Sequence, residues 1–308
     1  MPERRPPTVQ HRIEYVALRA VIGVLVRLPI PWAAAIGGWL GRLAYRPFGV
    51  RRRTVEAQIA FAFPEFTPAQ VQATARAAYD NLGRTAIEAA VVSARGAAAV
   101  RDYCGIKGIE HLEAARARGE GALLVAGHAA NWELAGATIA AHGFPFSAVA
   151  RHMGNPVFEE YLLRVREAAG TEVVFDDQAV RRIPRAVKEG RFIGLLADQG
   201  VLGLASTFVP FFGRLAKTPR GPAVFALRMG TPVYFCIGVR DERRRPWLLV
   251  EPMPVEVTGD RERDVETLVA RYTARIEQHV REHPGEYFWH HRRWKRQPEG
   301  APPLPPGL

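Results

Sequence analysis

Cysteine is scarce: the 308 residues contain only Cys104 and Cys236, far apart and in unrelated contexts. That excludes a Cys-rich metal centre and a disulfide framework, and makes a reducing compartment the default. Long uncharged apolar runs are also missing. Residues 14–50 are rich in Ala, Val, Leu and Ile, but Arg19, Arg27 and the Pro29-Ile30-Pro31 break interrupt them. No stretch reaches the roughly 18 residues of a membrane-spanning helix. The same arginines, and the lack of a small-residue cleavage site, speak against a secretory signal. No Gly-x-Ser-x-Gly occurs, so a hydrolase built on a nucleophile elbow is excluded. No helix-turn-helix, zinc or RNP motif is present either, and nucleic acid is not an expected partner.

Acidic residues are the minority charge, 31 Asp+Glu against 42 Lys+Arg, which leaves a net charge of +11. An excess of this size favours anionic partners: nucleic acid, a phospholipid surface or an acidic carrier protein. Much of it sits in clusters, Arg51-Arg52-Arg53, Arg181-Arg182, Arg243-Arg244-Arg245 and Arg292-Arg293 with Lys295-Arg296. Each can equally be a solvated face. With 48% hydrophobic and 24% charged residues the chain is neither disordered nor collagen-like. Its length allows one large domain or two modest ones, with a core that needs no staples. The apolar segment reads as two short helices split at the prolines and followed by three arginines, the pattern of a protein lying on an anionic bilayer. A helical hairpin buried in a core is the other reading.

Thr67-Pro68 opens a long helix over 69–94, with Thr67 as N-cap and apolar residues from Val71 to Val91 at helical spacing. From about Tyr103 the texture alternates. Short apolar runs at 121–126, 146–150, 172–175, 192–197, 232–239 and 247–251 suit buried strands. Helical segments at 131–142, 156–169, 179–189 and 219–229 fall between most of them, and a last helix runs over 264–282. The expected fold is α/β, a mixed, mostly parallel central sheet flanked by helices, with a membrane-associated helical region before it. The expected divisions are a disordered head over 1–12, the membrane-associated helices over 13–50, a catalytic domain over 51–297 and a disordered Pro-rich tail over 298–308.

Reactive groups in open α/β sheets gather where strands end and loops lead into helices. The first long strand ends Gly127-His128-Ala129-Ala130-Asn131-Trp132-Glu133. On a regular helix, five steps separate two side chains by roughly 140°. His128 and Glu133 therefore meet only if His128 lies in the loop and Asn131 caps the following helix. A carboxylate on one imidazole nitrogen fixes the tautomer and frees the other as a base. No Ser or Cys stands beside the pair, so the substrate is expected to bring its own hydroxyl. His290-His291 do not read as metal ligands, because adjacent histidines rarely converge on one ion and no Cys, Asp or Glu set accompanies them.

The block from Gly127 to Glu133 resembles the H-x4-[DE] motif of the glycerolipid acyltransferase superfamily, and its Asn-Trp-Glu ending is similar to the lipid A late acyltransferases. Further blocks follow in that family's order: Ala60 to Glu65, Asn81 to Arg84, Ala150 to Pro156 with Arg166 and Gly170, Ala197-Asp198-Gln199, Pro210 to Gly213 with Thr218, Gly230 to Val233, and His283-Pro284 through Lys295. Mycobacterial-type phosphatidylinositol mannoside acyltransferases share this architecture, usually with Asp where this chain has Glu133. Ala129-Ala130 also departs from the Phe-Gly common in the lipid A branch. The resemblance implies an O-acyltransferase in which His128 is the general base and Glu133 orients it. Asn131, Arg151, Arg166, Asp198, Gln199, Thr218 and Arg220 would then bind substrates. Arg151 and Arg166 suit a phosphate, and Thr218 and Arg220 would sit at the opening of a helix, where an anion is favoured. An acyl carrier protein thioester or acyl-CoA would be the donor and a glycolipid the acceptor, at the cytoplasmic face of the inner membrane, with no metal and no cofactor.

Overall fold

The computed structural model describes residues 7–200, 203 and 205–308. Four helices lead: α1 Val9–Leu25, α2 Ile30–Tyr45, α3 Arg52–Ala62 and α4 Pro68–Ala94. Thr67 and Gln70 close a reciprocal capping box at the start of α4, with Pro68 at its first position. Then come α5 Ala97–Tyr103, β1 Gly105–Lys107, α6 Ile109–Ala117, β2 Ala122–Ala126, α7 Trp132–Ala141, β3 Phe146–Ala150 and α8 Pro156–Ala168. They are followed by β4 Thr171–Phe175, α9 Ala179–Lys188, β5 Phe192–Leu196, the pair β6 Ser206–Phe211 and β7 Arg214–Pro219, and α10 Gly221–Met229. The chain ends with β8 Val233–Arg240, β9 Pro246–Pro252, α11 Arg261–Glu282 and an extended tail.

The main sheet has seven strands in the order β1-β9-β8-β2-β5-β3-β4. β8, β2, β5, β3 and β4 run parallel; β9 turns back on β8, and β1 follows β9. Alternation along the buried strands serves two cores. Leu123, Val125, Ile193, Leu195, Phe235 and Ile237 face one, with α11 and the β6–β7 hairpin. Ala122, Leu124, Phe192, Tyr234 and Cys236 face the other, under α6 and α7. Helices on both sides of a mostly parallel sheet are what the alternation of runs predicts.

The sequence pattern misses the β6–β7 hairpin. Phe212 and Gly213 both have positive φ, 51° and 72°, and join the strands in a two-residue turn with Phe211 opposite Arg214. Such a turn normally carries Asn-Gly, so Phe-Gly gives no signal.

Two expectations need correction. Residues 9–12, expected in a disordered head, belong to α1, whose N-cap is Thr8; residues 1–6 lie outside the described residues. The Pro-rich tail is packed, not loose: Leu308 is buried, Leu304 lies against the same core, and the guanidiniums of Arg292 and Arg214 take the carbonyls of Leu308 and Pro302. Its packed leucines and these guanidinium bonds outweigh the composition signal of its prolines.

α2 lies along α4 at backbone contact distance. A Cβ on Gly41 would stand 1.9 Å from the Tyr79 carbonyl, and one on Gly83 2.0 Å from that of Gly37. The opposite sides of α1 and α2 carry exposed apolar residues, among them Val9 (74%), Val16 (64%), Trp32 (68%) and Trp39 (52%), and Phe48 (73%) follows. Among the described residues no helix is long and apolar enough to cross a membrane.

Candidate active site

β2 and β5 are parallel neighbours with Ala126 opposite Leu196. Each chain leaves the sheet at that level, and two residues further on stand His128 and Asp198. Asp198 Oδ1 meets His128 Nδ1 at 2.6 Å, and Oδ2 accepts the His128 backbone N–H at 3.0 Å. With Nδ1–H donated to the carboxylate, the lone pair of Nε2 is available; this tautomer follows from the hydrogen-bond pattern. Burial pushes the Asp198 carboxyl up, but the His128 charge, two hydrogen bonds from His128 and the Arg293 guanidinium outweigh it and hold it down at about 2.

The carboxylate is built in from below. Arg293 is buried and donates to the Lys217 carbonyl at 2.6 Å and to Thr218 Oγ1 at 2.7 Å. Tyr287 is buried beside Asp198, and burial and that carboxylate raise its phenol well above the usual range. The segment after α11 also pairs with the His128 turn, through an Ala129–Tyr287 bridge and a Phe288 N–H to His128 carbonyl bond of 3.0 Å. Trp132 and Phe288 flank the imidazole, with ring centres 5.3 Å and 6.0 Å away.

Glu133 does not reach back to His128. It sits in the first turn of α7, where Arg166 of α8 takes its carboxylate in a fork, NH2 to Oε1 at 2.6 Å and Nε to Oε2 at 3.1 Å. An imidazole has one Nδ1, and Asp198 occupies it. Asp198, not Glu133, is therefore the carboxylate that meets the imidazole, and Arg166, expected to hold a phosphate, is engaged with Glu133. The reading along the chain misses this because the partner comes from the neighbouring strand, 70 residues away. The visible signal was a second strand ending in Asp at the same edge of the sheet.

Other candidates also fall differently. Asn131 is buried as N-cap of α7, accepting from the Leu134 N–H at 3.0 Å and donating to Glu88 at 3.0 Å. It shapes the turn without facing a substrate. Asp198 is 2% exposed and likewise faces His128, not a ligand. Thr218 lies inside β7, fully buried, bonded to the Ala216 carbonyl and Arg293. The helix after it opens at Gly221 with Arg220 as N-cap, and the Arg220 guanidinium meets Glu262 at 2.6 Å. Both are engaged with protein partners. Arg151 follows β3, exposed, and meets Asp176 at 2.9 Å. Gln199 is half-buried next to Asp198. His290 and His291 are held neutral by burial, both pushed down to about 4. Among the described residues no group of three or more His, Cys, Asp or Glu could hold a metal.

Beside His128 opens an apolar cavity of about 330 Å³ between β2, β3, α4, α7, α8 and α1. Gly127 and Trp132, next to His128, line it, as do Glu133, Arg166, Leu124, Ile139, Phe146 and Leu248; Leu18 and Ile22 of α1 form part of the wall. Cys236 also lines it, but burial raises its thiol pKa so far that it is no nucleophile.

A histidine–carboxylate pair beside an apolar cavity, with no serine or cysteine bonded to it among the described residues, suits chemistry on a hydroxyl that the substrate itself brings. The chain belongs to the bacterial lipid A biosynthesis acyltransferase family, whose model it matches over residues 4–296. It is similar to the lipid A biosynthesis lauroyltransferase of Escherichia coli (strain K12), 26% identical over 288 residues, which cover 92% of this chain and 91% of that protein. The lipid A biosynthesis palmitoleoyltransferase of the same organism is 25% identical over 288 residues, 92% of each chain. A phosphatidylinositol mannoside acyltransferase of Mycobacterium tuberculosis (strain ATCC 25618 / H37Rv) is 25% identical over 228 residues, 67% of this chain and 71% of that protein.

Proposed function

We propose that this protein transfers a fatty acyl chain from an acyl carrier protein thioester to a hydroxyl of a lipid A precursor, with His128 as general base oriented by Asp198. The observation that carries this reading is the 2.6 Å contact of His128 Nδ1 with a buried carboxylate beside an apolar cavity. The acyl chain lies in the cavity, thioester carbonyl towards Trp132 and His128. Nε2 takes the proton of the acceptor hydroxyl as its oxygen attacks that carbonyl, forming the C–O bond of a tetrahedral intermediate. Collapse breaks the C–S bond, and the departing thiolate recovers the proton from Nε2 as the carrier thiol. Asp198 keeps Nδ1–H in place and stabilises the imidazolium without taking its proton. The Glu133–Arg166 pair ties α7 to α8 in the wall of the cavity.

The protein works on the cytoplasmic face of the inner membrane, lying on the bilayer through the outer sides of α1 and α2. Support comes from the exposed Val and Trp residues there and from charge: residues 7–53 carry eight arginines and a single acid, Glu14. The basic surface also suits an acidic carrier. Mass spectrometry of acceptor lipids after incubation with carrier thioester tests the reading. A lipid A precursor should gain one acyl chain. A gain on a phosphatidylinositol mannoside alone, or with acyl-CoA alone, would move the substrate and keep the chemistry. No transfer to any acceptor would overturn it.

A further inference from the structure

Ala130, two residues after His128, has φ 45°. This left-handed conformation costs a residue with a Cβ on the order of 1 kcal/mol, so the surroundings must hold it. Its carbonyl accepts from two side chains of α4, Thr85 Oγ1 at 2.6 Å and Asn81 Nδ2 at 3.1 Å. Residues 81, 85 and 88 are spaced to share one face of that helix. Asn81 Nδ2 also donates to the Glu286 carbonyl at 3.0 Å, and the same carbonyl accepts the Ala130 N–H at 2.9 Å. One amide therefore ties together the turn and the segment that pairs with it.

The amide is oriented from behind. Arg240 Nε donates to Asn81 Oδ1 at 2.6 Å, which leaves the NH2 end for Ala130. Arg240 in turn lies on Glu88, at 2.9 Å and 3.1 Å, with side chains 2% and 0% exposed. Glu88 also accepts from Asn131 Nδ2 and from the Tyr103 hydroxyl, each at 3.0 Å. A buried ion pair is poor evidence for stability, because an apolar pair of similar volume often serves as well. Here the pair also bonds outward to Asn81, Thr85 and Asn131, the side chains at the turn directly after His128, besides Tyr103 and the Arg244 carbonyl. Gly238 of β8 leaves room for the turn: a Cβ there would stand 2.8 Å from the Ala129 carbonyl.

We infer that Thr85 and Asn81 are positioning residues for acyl transfer: they fix the Ala130 carbonyl and through it the His128 backbone, and the Glu88–Arg240 pair holds both in register. This rests on the reading of His128 as the base. Thr85→Val keeps the shape and removes the donor, while Thr85→Ser keeps the donor. Three readouts apply to the full-length protein: kcat and KM for transfer from carrier thioester, the melting temperature, and the low-field Nδ1–H resonance of His128 in 15N-histidine-labelled protein, assigned with His128→Gln.

In Thr85→Val, kcat should fall roughly 10- to 100-fold with KM unchanged, because a small misplacement of a reacting group costs that much. The resonance should broaden or disappear. Thr85→Ser should restore both. Should Thr85→Val fail to fold, the smaller Thr85→Ala is held to the same criteria. A valine variant that keeps both rate and resonance, or loses only melting temperature or KM, overturns the inference. The resonance does not depend on turnover. If it responds as expected while the wild type transfers acyl to nothing, the positioning stands and the base assignment falls.

Discussion

His128 and Asp198 are joined by two hydrogen bonds, one to the ring and one to the backbone, so the carboxylate fixes both the rotation of the imidazole and the path of the turn that carries it. Asp198→Asn keeps the shape but loses the charge and can stabilise the wrong tautomer. The expected result is a fall in kcat of roughly 100- to 10,000-fold with the fold retained. Steady-state kinetics with circular dichroism checks this.

Glu133 should matter less to the chemical step. With its side chains 28% and 21% exposed, the Glu133–Arg166 pair is half-buried in the lining of the cavity. Glu133→Ala leaves Arg166 without its fork and loosens α7 against α8. The loss of kcat should be smaller than for Asp198→Asn. A double-mutant cycle with Arg166→Ala on thermal stability should give a coupling of about 1 kcal/mol. A Glu133→Ala enzyme as inactive as Asp198→Asn would return Glu133 to a direct role.

The cavity limits the acyl chain it accepts. Ala148 of β3 lines it, and Ala148→Leu takes up part of its volume. Chain preference should shift to shorter acyl groups, read as the ratio of kcat/KM for two carrier thioesters. One misplaced methylene changes such a ratio by roughly 10- to 200-fold.

Acid should weaken the fold before it reaches the carboxylates. His290, 6% exposed, has neither ring nitrogen bonded among the described residues, and burial holds it neutral down to about 4. Between pH 6.5 and 4 the unfolded chain takes up its proton and the folded chain does not, so stability present above pH 6.5 is lost as pH falls to about 4. His291 acts in the same window, and His279 extends it to about 3. His290→Phe, packed against Tyr79 and Phe288, should remove on the order of 2–3 kcal/mol of that loss, read from denaturant midpoints at pH 7 and 4.5.

Ile13 and Val16 are each 64% exposed on the outer side of α1. Ile13→Glu with Val16→Glu should reduce binding to anionic lipid vesicles in a flotation assay and leave the melting temperature unchanged. Undiminished flotation would remove α1 from the membrane contact.

The elements that carry the site were legible in the sequence because their signals are local. The apolar run ending at Gly127, the Asn131 cap and the Thr67 cap with Pro68 after it all lie within a few residues of what they determine. The partner of His128 was not, because it depends on β5 being the neighbour of β2, a fact of strand order that no periodicity encodes. Thr218 was misplaced for a related reason, whereas Arg220 does stand at the opening of α10. The Phe212-Gly213 turn hid a hairpin, and so a strand residue read as the start of a helix. Arg293 read as one of a basic surface cluster; it is buried, and its charge acts on Asp198, a relation visible only once the final segment folds back on the sheet.

Single-turnover reaction of the wild type and His128→Ala with carrier thioester and a lipid A precursor tests the central claim most directly, with acceptor mass and free thiol followed together. The wild type should add one acyl chain per thiol released, and His128→Ala, with an unchanged circular dichroism spectrum, should do neither. Transfer by His128→Ala at a rate near the wild type's would contradict the account.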